Sequence, residues 1–124
     1  MSETITVNRI GKKGYFEYLL SDPITFIVYE EDDTWWCINE DLVIYGSDET
    51  REGAIVCAAG DFRFAYRDIA LCDDDKLSEQ AIKLKQRLLS IVSKIDILQN
   101  NQNEEGFVGG YYMDFIKDQD ICLE

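Results

Sequence analysis

Carboxylates and aromatic rings are the chemistry this sequence has to offer. Glu30-Glu31-Asp32-Asp33 run together and are followed at once by Trp35-Trp36. Glu40, Asp41, Asp48 and Glu49 come soon after, and Tyr111-Tyr112 with Asp114 repeat the aromatic-plus-acid pairing further along. A carboxylate can hold a Lys or Arg, coordinate a hard cation or move a proton. Tryptophan and tyrosine beside carboxylates suit the first task, because aromatic residues dominate the energetic centres of interfaces. Adjacent tryptophans on a strand point to opposite faces. One of Trp35 and Trp36 is therefore expected to fill the core while the other is exposed as an anchor.

Several catalytic chemistries are closed. The chain has no histidine, so no Ser-His-Asp triad, Cys-His pair or imidazole base can form. Cys37, Cys57, Cys72 and Cys122 are scattered, without the short paired spacing of a structural zinc site. They read as reduced, mostly buried thiols. The best enzymatic candidate is Asp73-Asp74-Asp75-Lys76, whose Asp74-x-Lys76 spacing echoes the acid-x-Lys pair of metal-dependent nucleases. Asp61 or Asp68 would supply a further ligand. Such a site needs converging carboxylates and a basic surface for its substrate, and the chain lacks that surface. No EF-hand spacing and no phosphate-binding glycine loop is present. The expectation is a binding protein with no catalytic residue, no metal and no cofactor.

The charge balance names the sign of the partner. The formal net charge is −13, from 25 acids and 12 bases. Between residues 29 and 52, Arg51 alone opposes Glu30, Glu31, Asp32, Asp33, Glu40, Asp41, Asp48, Glu49 and Glu52. Between residues 102 and 124, Lys117 alone opposes Glu104, Glu105, Asp114, Asp118, Asp120 and Glu124. The other segments are close to neutral. Clustered like charges repel and cost stability, so two compact acidic segments point to a basic partner. Direct binding to nucleic acid or an anionic membrane requires the opposite sign. No apolar run approaches the ~20 residues that span a bilayer. Met1-Ser2-Glu3-Thr4 has none of the features of a secretion signal, and the expected location is cytoplasmic.

The elements that must position these residues are readable in outline. The 124 residues suit one domain. Alternating, β-branched stretches predict strands over residues 4–10, 24–29, 35–38, 42–45, 54–59, 61–68 and 111–116. Residues 15–20 fit a strand or a short helix, and Ser21-Asp22-Pro23 is expected to break the chain. In 61–68, Phe62, Phe64 and Tyr66 would face one way, with Arg63 and Arg67 opposite. The acidic run 30–33 forms the exit of a hairpin that returns through Trp35-Trp36. Leu77, Ala81, Leu84, Leu88, Ile91, Ile95 and Leu98 follow a helical spacing and predict one long helix, capped by Asp75 or Ser78. The expected fold class is α+β: an antiparallel sheet of about five to seven strands with one long helix packed on a face.

In size, acidity and texture over the whole chain, the sequence resembles the immunity proteins of bacterial toxin systems, including those of contact-dependent growth inhibition. That resemblance implies a small α+β protein that neutralises a cognate toxin domain, typically a nuclease. Glu30 to Asp33, Glu40, Asp41, Asp48, Glu49 and Asp114 would then pair with toxin Lys and Arg, with Trp35, Trp36, Tyr111 and Tyr112 as aromatic contacts. Three alternatives stand beside it. One is a phage-type nucleic-acid mimic that blocks a DNA-binding or defence protein, and another is a carboxylate-metal enzyme centred on Asp73 to Asp75. The third is a structural subunit of a larger complex.

Overall fold

Alternation of apolar and polar residues organises the first half of the chain. In the computed structural model, which describes residues 2–97 and 110–116, β1 (Ser2–Lys12) pairs antiparallel with the long β2 (Phe16–Glu31). Phe16, Tyr18, Leu20, Ile24, Phe26 and Val28 of β2 are buried on one face. Ser21-Asp22-Pro23 does not end the strand, contrary to the sequence expectation. The pairing with β1 instead shifts register between Val7 and Arg9, opposite this stretch. Proline is tolerated there because no ladder bond needs its missing N–H. A two-residue turn, Asp32-Asp33, joins β2 to β3 (Thr34–Asn39). Both aspartates have positive φ, 54° and 65°, which matches the twist of a tight hairpin. β4 (Ile44–Asp48) closes that side.

The sheet order is β4-β3-β2-β1-β6, with β6 spanning Tyr111–Phe115. β5 (Val92–Ile97) pairs with the Phe16–Leu20 end of β2, while β3 pairs with the Ile27–Glu31 end. The expected α+β class is therefore present, with a curled six-stranded antiparallel sheet and a long helix on one face.

The long helix comes from a different segment than expected. Residues 54–59 and 61–68 are not strands: α1 spans Arg51–Ala65 and continues through a π-helical turn, Tyr66–Ala70. The Thr50 side chain caps α1 by accepting from the Gly53 N–H. Ala54, Ala58, Phe62 and Tyr66 recur every four residues and are buried. Phe62 and Tyr66 satisfy an alternating pattern and a helical one equally, whereas Phe64, between them, is exposed. Small residues let α1 press onto β4. A Cβ placed on Gly46 would lie 2.3 Å from the Ala54 carbonyl oxygen and the Ala58 nitrogen. The Tyr18 ring meets Phe62 at 5.5 Å and Tyr66 at 5.0 Å, joining helix to sheet. Each such fully buried side chain contributes roughly 1.5–3 kcal/mol.

The predicted helix through Leu98 is also shorter. α2 spans Glu79–Ile91, capped by Ser78, whose Oγ accepts from the Ala81 N–H at 3.1 Å. Val92 turns extended, and Val92–Ile97 become β5. Val92, Ile95 and Ile97 favour a strand, and the free edge of β2 completes it. The Ser93 hydroxyl bonds the Leu19 carbonyl at 3.0 Å. Leu88 and Ile91 are buried; Ile95 belongs to the strand, and Leu98 lies outside the described residues.

Candidate functional site

The register of β2, β3 and β4 sorts their side chains onto two faces. Val28 pairs with Cys37 and Glu30 with Trp35; Val28 and Cys37 are buried in the core and Trp35 packs against it, while Glu30, nearer the hairpin tip, is exposed. The next positions point away from the core. Ile27 stands opposite Ile38, which stands opposite Tyr45, and Tyr29 stands opposite Trp36. Among the described residues no helix covers this outer face, and α1 packs on the inner one. Ile27 and Tyr45 are each 46% exposed, and Tyr29, Trp36 and Ile38 are half-buried. Three rings and two isoleucines thus form one apolar surface across three strands.

Both tryptophans are half-buried, so neither is a wholly interior residue. Trp35 packs against the core and walls a cleft of about 290 Å³ with Val28, Glu3 and Glu30. Trp36 belongs to the outer surface. The hairpin thus gives each ring a different partner, as strand geometry requires.

Carboxylates rim the outer surface at both ends. Glu31, opposite Thr34, follows Tyr29 on the same face, and the Asp32-Asp33 turn adjoins it. Glu40 follows Ile38 where β3 ends. Glu30, Glu31, Asp32, Asp33, Glu40 and Glu49 are exposed, and among the described residues none of them forms an ion pair. The local cation, Arg51, is engaged elsewhere. Its Nε and Nη2 donate to the Glu3 carboxylate at 2.8 and 2.7 Å, and Glu52 lies 3.5 Å away. That hydrogen bond, joined by the Arg51 charge and opposed by burial, holds the Glu3 carboxyl below its ordinary range.

Two of the expected acids have other work. Asp48 accepts from both the N–H and the hydroxyl of Thr50, at 3.1 and 3.0 Å, and so shapes the entry to α1. Asp41 lies 3.6 Å from Arg87 of α2, on the helix side. There the β3–β4 turn, the π-helical turn and α2 enclose a groove of about 720 Å³ that also takes in Lys83 and Leu84.

Tyr111, Tyr112 and Asp114 are not part of the hairpin surface. They lie on β6, with β1 and β2 intervening. Tyr111 packs against the core, with Lys12 Nζ 5.0 Å from its ring centre. Tyr112 lies across Gly11, where an added Cβ would meet its hydroxyl oxygen at 2.8 Å. The Tyr112 hydroxyl donates to Glu17, and Arg9 approaches both Glu17 and Asp114 at 3.8 Å. Burial first, then the Glu17 hydrogen bond and charge, pushes the Tyr112 hydroxyl well above the usual range. These groups satisfy one another.

The Asp73–Asp75 candidate does not converge with its proposed partners. Asp74 pairs with Lys85 at 2.8 Å, Asp61 accepts from the Tyr45 N–H at 2.9 Å, and Asp68 pairs with Arg67 at 3.5 Å. Among the described residues no three His, Cys, Asp or Glu side chains gather as a cation site. Of the cysteines, Cys37 is buried and its thiol is pushed up to about 12 by desolvation, Cys72 is half-buried and Cys57 exposed. Only Cys37 therefore fits the expectation of buried thiols, and Cys122 lies outside the described residues.

Sequence reading had missed Ile27, Tyr29, Ile38 and Tyr45 as surface residues. A signal was available in Phe26-Ile27-Val28-Tyr29, a run apolar on both strand faces. No helix among the described residues is long and apolar enough to cross a membrane. No family model, curated protein or solved structure matches the chain.

Proposed function

We propose that this protein acts by binding rather than by catalysis, as an immunity protein that neutralises a basic cognate toxin domain, a nuclease being the best-fitting class. The observation that carries the reading is the uncovered outer face of β2, β3 and β4. It holds Tyr29, Trp36 and Tyr45 within a rim of carboxylates that no basic residue of the described chain engages. Rings supply area and desolvation at the centre of an interface, and unpaired charges at the rim supply orientation and speed. A nuclease presents a basic surface to its substrate, so an acidic protein can cover that surface. The cytoplasm is the compartment in which such protection is needed.

Glu30 to Asp33, Glu40 and Glu49 are the proposed partner-facing acids, with Trp36 as the central ring. Asp48, Tyr111, Tyr112 and Asp114 are given up as primary contacts, because their polar groups or rings serve the fold. Association is expected to be fast at low salt and to slow as salt screens the rim, over a Debye length of ~8 Å at physiological ionic strength.

The test is capture of partners from the native host at low salt, followed by elution with rising salt. The reading requires one dominant basic protein that stops growth when expressed alone and ceases to do so when this chain is co-expressed. Capture of many unrelated DNA-binding proteins would instead favour a nucleic-acid mimic. Absence of any salt-sensitive partner would overturn both.

A further inference from the structure

Elsewhere in the described chain, cations lie against rings. The Arg63 guanidinium lies 4.6 Å from the Phe16 ring centre, and that of Arg67 lies 5.1 Å from Phe64. Lys12 Nζ lies between Tyr15 and Tyr111, at 5.4 and 5.0 Å. The outer face differs. Among the described residues no ring or cation contact engages Tyr29, Trp36 or Tyr45. The rim carboxylates beside them have no ion-pair partner either. Both halves of a cation site, ring and acceptor, stand open in one place.

The layout also discriminates between cations. The interior of the patch is Ile27, Tyr29, Trp36, Ile38 and Tyr45, with hydroxyls of Thr25 and Ser47 at its edges and no carboxylate within it. A lysine ammonium is compact and strongly hydrated, and seating it on such a surface strips water without giving a direct counter-charge. A guanidinium is planar and weakly hydrated. It can lie flat on a ring while its edge N–H groups reach outward to acids.

Resting on the partner-binding reading above, we propose that the partner surface completing this face is arginine-rich. Its guanidinium planes lie on Tyr29, Trp36 and Tyr45, and their N–H groups reach Glu31 and Glu40 at the two ends. A second copy of this chain is disfavoured as the occupant, because it would bring two acidic rims together.

Two synthetic peptides of equal length and charge, one with arginine and one with lysine at every basic position, test this by calorimetry at low salt. The arginine peptide should bind the wild-type protein about three- to five-fold tighter. Tyr45→Leu and Trp36→Leu should each shrink that advantage, weakening arginine-peptide binding more than lysine-peptide binding. Tyr45 is the safer variant for folding, being 46% exposed, and circular dichroism checks both. Equal affinity of the two peptides for the wild type would overturn the arginine inference and leave the basic-partner reading standing. An advantage that survives both substitutions undiminished would overturn the assignment to this face. No binding of either peptide would overturn the inference and the reading beneath it.

Discussion

Trp36 and Tyr112 both stand on the outer surface of one sheet, with β2 and β1 between their strands. Each is next to an aromatic neighbour in sequence and close to acids, yet their situations differ. Around Tyr112, the hydroxyl, Glu17, Arg9 and Asp114 bond or pair with one another. Around Trp36, the rings meet no cation and the acids meet no base among the described residues. The difference follows from one residue. Arg9 on β1 lies opposite both Leu19 of β2 and Asp114 of β6, so a guanidinium serves that end. The cation near the hairpin end, Arg51, is spent on Glu3. On the proposed reading, an aromatic-plus-acid motif serves as a binding surface only where the fold leaves its charge uncompensated.

Substitutions should separate the two ends. The largest effect is expected from Trp36→Ala, which should cost about 2–4 kcal/mol of partner affinity as the loss of a central interface ring. Chemical denaturation should show that the fold survives. Tyr112→Phe should behave in the opposite way. It leaves the half-buried Glu17 without its donor and should cost about 1–2 kcal/mol of stability in the same denaturation assay, with partner affinity unchanged. If the two substitutions have the same profile, the division between the ends is wrong.

Glu31→Gln should have a smaller effect, slowing association a few-fold at low salt and little at high salt. Stopped-flow mixing with the partner at two salt concentrations reads this directly. The smallest effect concerns Arg51→Ala. The Glu3 carboxyl should rise toward its ordinary value, measurable by NMR titration. The pair is substantially solvent-exposed, so its loss should cost no more than about 1 kcal/mol near neutral pH. Because Arg51 lowers the folded-state value of Glu3, the contribution is present above the unfolded-state value. It fades as pH falls through the lowered one, so wild type and variant should converge in stability in strong acid.

β2 and β3 of the outer surface were legible in the sequence because alternation and β-branched residues coincide there, whereas β4 begins two residues later than expected, at Ile44, and runs on to Asp48. The hairpin turn was legible from its position between Tyr29 and Trp35. Beyond Ser21-Asp22-Pro23, two longer segments read differently in the fold, for identifiable reasons. In 54–68, spacings of four satisfy helix and strand periods alike, and small residues conceal a helix that must approach Gly46 closely. In 77–98, a helical spacing runs across Val92–Ile97, whose β-branched residues are taken up by the open edge of β2. The site was only partly legible. The acidic run and the tryptophans stand out by type, but Tyr29, Ile38 and Tyr45 become neighbours through strand register, which composition does not encode. Register equally removed Tyr111, Tyr112 and Asp114 to the far edge.

The measurement that tests the central claim most directly is titration of the captured basic partner against wild type and Trp36→Ala at low and physiological salt. The account predicts tight wild-type binding that weakens as salt rises, and at least about thirty-fold weaker binding by the folded variant at both salts. Salt-insensitive binding, or binding untouched by Trp36→Ala, would contradict it.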